Sequence, residues 1–392
     1  LLWSLRQRSL LRQAGRSRIS LAGAVMHGLR RRSARVWYSA IRALRPPLSV
    51  PDVPRRLLVA APTFLGDSLL LSSAVTMLAR TWPQASIDVW TRYPRFFTGI
   101  GENVRPLTDE QTISRHFRDA IAPNYDVVFT PYYEFGDLQL WRQVLSRRGV
   151  VFDREAGFRR DRDYILAARL VEKDFRSHEL LNLVRLMSLW PLAGRLERPV
   201  IRADGHVREK LRRTHPFLAD PAPYAAMQMR SGTGMKDWPL ERWAELARRF
   251  VHATGLRLVV HDPVEEEGIA ARLIKMAGLS TEEALAVSCN LDELIALLQD
   301  ARLAIGVCSG PKHLAMALGT PTFTLYGPTD PVRWGALFDR SLHGWIRSPA
   351  GTLTAREHHG LPVNHAMLQI SVDAALEALL RHCARLGLCP LP

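Results

Sequence analysis

Short apolar runs alternate with longer amphipathic ones along most of the chain, the pattern of buried strands joined by surface helices. In the first half, "RLLVAAP" (56–62), "SIDVWTR" (86–92), "YDVVFTP" (125–131) and "GVVFD" (149–153) read as strands. "GDSLLLSSAVTMLARTW" (66–82), "DLQLWRQVLSRR" (137–148) and "SHELLNLVRLMSLW" (177–190) read as helices between and after them. A turn-rich, charged stretch at 194–223, with Pro199, Pro216, Pro221 and Pro223, marks a domain boundary. The cycle then restarts. "YAAMQM", "LRLVVHD", "RLAIGV" and a closing "TFTLYG" are the strands of the second half, separated by "PLERWAELARRFVHAT", "LDELIALLQDA" and "PKHLAMALG" as helices. Such alternation predicts an α/β chain with two parallel sheets, each with helices on both faces. A last helix, "VDAALEALLRHCARLG" (372–387), has no strand after it.

A length of 392 residues with 47% hydrophobic content suits two globular domains. Charge changes the picture at one end. Residues 1–50 hold eleven arginines, no lysine and no acid, and account for +11 of the net +15. The remaining +4 and the lack of any nucleic-acid motif argue against a general nucleic-acid binder. On a helix, "LLWSLRQRSLLRQ" and "RRRSARVWYSAIRAL" give a basic and an apolar face, which suits the surface of an anionic membrane. The run from Ile19 to Leu29 is too short to span one. A removable basic leader and a targeting peptide fit the same composition. Four cysteines without metal-ligand or secreted-disulfide spacing point to a reducing, cytoplasmic setting.

Ligands of open parallel sheets sit at the carboxyl ends of strands, and four loops there carry candidate chemistry. In "TFLGDS" (63–68), Gly66 permits a tight turn; Asp67 is either a helix cap or a general base. In "RSGTGMKDWP" (230–239), Ser231 and Thr233 offer hydroxyls and Lys236 a positive charge suited to phosphate; a plain glycine turn is the alternative. In "GVCSGPKHLAMALGTP" (306–321), Ser309 reads as an N-cap, and Gly310 opens a helix whose free N–H groups, with Lys312, suit an anion. His313 either donates to that anion or packs in the first turn. Thr329 in "YGPTDP" (326–331) could close over the same group. No triphosphatase lysine loop or dinucleotide fingerprint is present, "DRD" (161–163) reads as solvated charge, and no His/Glu constellation suggests a metal.

"GD" at 66–67, "MKDWPLERWAELA", "CSGPKHLAMALGTPT" and "LYGPTDP" together resemble glycosyltransferase family 9, the ADP-heptose:lipopolysaccharide heptosyltransferases and their relatives, from about Arg56 to Trp334. The resemblance implies a GT-B fold: two Rossmann-like domains facing a cleft, the acceptor on 51–198 and the sugar nucleotide on 199–370. It also implies that the helix at 371–392 crosses back to the first domain; the leader at 1–50 lies outside the resemblance. The activity it implies is inverting, metal-independent transfer of a heptose or related sugar, ADP-heptose foremost, to a lipopolysaccharide core or related surface glycan. The nucleotide sugar is then a substrate, and no cofactor is needed. Carried over, Asp67 becomes the base. Lys236, Ser231, Thr233, Cys308, Ser309, Gly310, Lys312, His313 and Thr329 fall on the donor side, and Gly66 on the acceptor side. Arg159, Arg160 and Arg162, with neighbouring Arg154, Lys173 and Arg176, would suit a phosphorylated, lipid-linked acceptor at the inner membrane face. Asp262 and Glu265 to Glu267 could accept ribose hydroxyls. Two positions depart from the family pattern. Cys308 stands where an Asp is usual, and Ser73 where a proline is usual. A thiol accepts sugar hydroxyls far more weakly than a carboxylate, so a catalytically weak glycan-binding or scaffold relative is the rival reading.

Overall fold

The computed structural model describes residues 50–60, 64–108, 125–131, 150–154, 169–263, 268–351 and 360–389. The basic leader, the 137–148 helix, and Arg159, Arg160 and Arg162 lie outside the described residues, as do Glu265 to Glu267. Among the described residues, those up to Asp174 with Leu180–Leu196 form one compact unit. Phe175–Glu179 and the residues from Glu197 onward form the other.

In the first unit, β1 (Arg56–Ala60) leads into α1 (Leu65–Thr81), followed by β2 (Ser86–Trp90), β3 (Val104–Leu107), β4 (Val127–Thr130), β5 (Val150–Arg154), β6 (Arg169–Glu172) and α2 (Glu179–Met187). The strands form one parallel sheet in the order β3-β2-β1-β4-β5-β6. Leu57, Leu58 and Val59 are fully buried in succession, because a central parallel strand is covered on both faces.

The second unit repeats the scheme. After α3 (Gly205–Thr214) come β7 (Tyr224–Gln228), α4 (Leu240–Thr254), β8 (Arg257–Pro263), α5 (Ile269–Ala277), β9 (Ala284–Cys289) and α6 (Leu291–Asp300). Then follow β10 (Leu303–Val307), α7 (Gly310–Leu318), β11 (Thr322–Tyr326), β12 (His343–Arg347) and α8 (Val372–Arg385). The sheet order is β12-β11-β10-β7-β8-β9, again all parallel. Both orders are the doubly wound arrangement expected from the alternating pattern, each reversing direction at its middle. Local signals explain the helix ends. Asn290 and Glu293 form a capping box on α6, and Gly255 after α4 takes a left-handed φ of 68°.

Two expectations are corrected. "TFTLYG" is not the last strand: β12 pairs beyond it, from Thr322↔His343 to Tyr326↔Arg347. The final helix, expected to return to the first domain, buries Ala375, Leu376, Leu379 and Cys383 in the second unit's core and packs on α4 and β12. Its remaining buried residue, His382, accepts from Gly344 N at 3.1 Å. The helix lacks a following strand because it completes the cover of this sheet's β12 end.

Buried histidines make this fold sensitive to acid, His261 and His343 among them. Burial lowers His261 and His343 from 6.5 to about 4, so the folded chain holds both neutral. Their unfolded forms gain protons first as pH falls. Stability is therefore full above about pH 6.5 and declines toward pH 4, by on the order of 1–3 kcal/mol for each. Denaturant titrations at pH 7.5, 6 and 5 should show this decline, and a flat profile would refute the neutral burial.

Candidate active site

The reversal in each sheet fixes where a ligand can enter, since loops leaving the two middle strands turn to opposite faces and open a crevice. In the second sheet those strands are β7 and β10, and both lead into loops marked from the sequence.

The loop after β7 is tied to itself. Ser231 Oγ donates to Thr233 O at 2.6 Å and accepts from Thr233 N at 3.2 Å, while Ser231 N donates to Asp237 Oδ1. Lys236 Nζ then reaches across to donate to Cys308 O at 3.0 Å, joining this loop to the one after β10. Trp238, stacked edge-on against Trp243 at 5.1 Å, anchors the loop's far end in the core.

Gly306 makes the meeting of the two strands possible. It sits opposite Gln228, and a Cβ there would lie 2.7 Å from the Gln228 carbonyl. With that space open, Gln228 Oε1 takes the hydroxyl of Ser309 at 2.7 Å. Ser309 occupies the N-cap position of α7, yet its side chain does not cap the helix. The first-turn N–H groups therefore lack that usual partner, as an anion site requires.

Cys308 is 3% exposed and Lys312 is 5% exposed. The Lys312 ammonium lies 3.6 Å from Cys308 Sγ, 3.3 Å from Tyr326 OH and against the Trp334 carbonyl. Burial pushes the Tyr326 hydroxyl well up. Burial and then Lys312, His178 and Lys236 hold His313 well below its ordinary value, so its ring is neutral and packs edge-on near Trp334 at 6.3 Å. The positive charge of the loop cluster rests on Lys236 and Lys312.

Thr329, on the loop after β11, has a buried Oγ1 with no hydrogen-bond partner. Its neighbour Asp330 accepts from Val332 N and pairs with Arg347 at 3.1 Å, a capping role. Asp262 is corrected from ribose acceptor to helix cap. It is 2% exposed, and its Oδ2 accepts from Ala270 N at 2.8 Å in the first turn of α5. Lys173, grouped from the sequence with the acceptor-side arginines, is buried.

Asp67 belongs to the first unit, in the first turn of α1, which follows β1 at the sheet's own reversal beside β4. The N-cap is Phe64, whose side chain cannot cap, so Asp67 complements the helix dipole from the third helical position. It is half-buried, and Gly66 beside it is buried. Burial raises the Tyr93 hydroxyl, Arg92 lowers it and the Asp67 carboxylate adds to the rise, which places the loop after β2 close to Asp67.

The second unit thus brings together Lys236, Cys308, Ser309 and Lys312. Gln228, Tyr326 and the Trp334 carbonyl complete that cluster and were not picked out from the sequence. Gln228 alone left a trace there, as the one amide in the run "YAAMQM".

Comparison with known proteins gives the family and the fold. A family model described as glycosyltransferase family 9 (heptosyltransferase) matches residues 154–357, more than half of the chain. Lipopolysaccharide heptosyltransferase 1 of Salmonella typhimurium is 32% identical over 136 residues, 34% of this chain and 41% of that protein. The chain therefore aligns with about two-fifths of that relative's length. A glycosyl transferase family 9 structure from Veillonella parvula superposes with a TM-score of 0.66 at 16% identity, covering 84% of this chain and 97% of that one. An Escherichia coli ADP-heptose LPS heptosyltransferase II gives a TM-score of 0.59 at 19% identity, covering 82% and 98%. At such identities the likeness establishes the fold, two Rossmann-like domains of the GT-B kind. The family match across the loops after β7, β10 and β11 and the end of the first sheet settles the lineage: the chain belongs to glycosyltransferase family 9.

Proposed function

We propose that the chain is a glycosyltransferase that moves a heptose or related sugar from a nucleotide donor, ADP-heptose foremost, to a lipopolysaccharide core or related surface glycan. The observation that carries this reading is the bond from Lys236 Nζ to Cys308 O. It draws two phosphate-suited loops together at the reversal of the second sheet. The similar proteins named above are a lipopolysaccharide heptosyltransferase and an ADP-heptose LPS heptosyltransferase, which supports the donor and acceptor class.

In the proposed reaction Asp67 takes the proton of the acceptor hydroxyl as its oxygen bonds the anomeric carbon. The bond from that carbon to the diphosphate breaks, and the nucleoside diphosphate leaves with the electron pair. Lys236, Lys312, the α7 N–H groups and the Thr329 hydroxyl stabilise its charge, the term that usually dominates such transfers. The configuration inverts, and no metal takes part. The Arg-rich leader and the arginines at 159, 160 and 162 supply charge for a phosphorylated, lipid-linked acceptor at the cytoplasmic face of an anionic membrane. Among the described residues no helix is long and apolar enough to cross a membrane.

One observation favours a second reading, a weakly catalytic glycan-binding relative. The usual donor-loop carboxylate is replaced by a buried thiol facing Lys312. Under that reading nucleotide binds and no sugar moves.

Thermal-shift measurements with ADP, UDP and GDP should show the largest stabilisation with ADP, lost in Lys236→Met; no shift with any nucleotide sinks the transferase reading. Turnover of ADP-heptose on heptose-deficient lipopolysaccharide should fall by about 10²–10⁴ in Asp67→Asn while the ADP shift persists. Normal turnover in that variant removes the base assignment, and a wild type that binds ADP without transfer establishes the second reading. Added EDTA should leave the rate unchanged, and a rate abolished by EDTA and restored by a divalent cation would overturn metal independence.

A further inference from the structure

The short helix Pro331–Trp334 and the residue after it present two successive carbonyls to buried donors. The Trp334 carbonyl accepts from Lys312 Nζ and, at 3.3 Å, from Tyr326 OH. The Gly335 carbonyl takes His178 Nε2 at 3.0 Å. A carbonyl only accepts, so Nε2 carries the proton. Burial holds His178 below its ordinary value, and the ring is a neutral donor.

One residue on, Glu179 is fully buried, and its Oε2 accepts from Arg333 Nε at 2.9 Å. The Arg333 guanidinium also lies over the Phe175 ring at 4.7 Å and the Trp334 ring at 5.1 Å. The turn between these anchors is tight. Gly335 N donates to Pro331 O at 2.7 Å, and a Cβ at 335 would overlap that oxygen. Phe175 to Glu179 belong to the second unit, although the rest of α2 belongs to the first.

We propose that His178 and Glu179 are positioning residues for the donor loop. By holding the Pro331–Gly335 turn they fix the Trp334 carbonyl, and through it the place of the Lys312 ammonium. A buried ammonium is held by the acceptors around it. If the carbonyl drifts, the ammonium leaves the loop for solvent. What Lys312 binds rests on the function proposed above, while what holds it does not.

The chain carries five lysines, at 173, 210, 236, 275 and 312, which makes the placement of Lys312 measurable without any ligand. The full chain is trace-labelled with acetic anhydride, and each lysine is quantified by mass spectrometry. Wild-type Lys312 should label at least ~10-fold more slowly than Lys210, since it needs a local opening. His178→Leu and Glu179→Gln should each raise the Lys312 rate ~5-fold or more while the other four lysines hold. His178→Gln, which keeps an N–H donor near the place of Nε2, should stay within ~2-fold of wild type. The proposal is overturned by an unchanged Lys312 rate in both damaging variants, or by His178→Gln behaving as His178→Leu. A parallel rise at all five lysines, meaning a loosened fold, also overturns it. Calorimetry with ADP on the same preparations separates the two ideas. A wild type that binds no ADP defeats the donor reading alone, whereas weaker ADP binding in the variants that expose Lys312 supports both.

Discussion

The second unit's site depends on one ladder, the parallel pairing of β7 with β10, in which Gly306 faces Gln228. Strands after β7 are added on one side and strands after β10 on the other, so the connections leaving the pair diverge. The ladder tolerates no side chain at 306, because the Gln228 carbonyl occupies the place of its Cβ. That close approach sets Gln228 beneath Ser309 and hence the start of α7. Lys236, brought in from the β7 side, closes on the same loop. A few ångströms of backbone geometry thus determine where two ammonium groups and a helix start come together.

The first sheet obeys the same rule with different contents. Its reversal, between β1 and β4, is followed by an acidic first turn instead of a basic one. The two halves of the chain therefore present opposite charges at topologically equivalent places.

The eight strands read from the sequence are the inner ones, β1, β2, β4, β5, β7, β8, β10 and β11, and each announces itself by an apolar run. The four that escaped, β3, β6, β9 and β12, are the four sheet edges. Edge strands are covered less and paired on one side only, so they admit Pro106 in β3 and Gly344 with Arg347 in β12. The candidate residues of the two units divide along similar lines. Gly66, Asp67, Lys236 and the residues from Cys308 to Lys312 follow strand ends and were visible as loop motifs. His178, Glu179, Arg333 and Tyr326 were not, because their roles come from partners up to 157 positions away. His178 and Glu179 lay inside a run whose helical periodicity already accounted for them. Asp262 misled for the converse reason: an acid after a strand end also suits the next helix's first turn, and there it is buried.

Neither compact unit is a continuous piece of chain. The five residues Phe175–Glu179 depart from their sequence neighbours to pack with residues beyond position 330. This matters for chimeras between relatives. An exchange made at the proline-rich boundary near 198 would transplant the loops after β7, β10 and β11 but leave behind the histidine and glutamate that hold the Pro331–Gly335 turn. In the graft, Arg333 and the Gly335 carbonyl would meet whatever residues the recipient carries at positions 178 and 179. The unit of exchange is therefore the second sheet together with that short upstream segment, with boundaries before Phe175, after Glu179 and before Glu197.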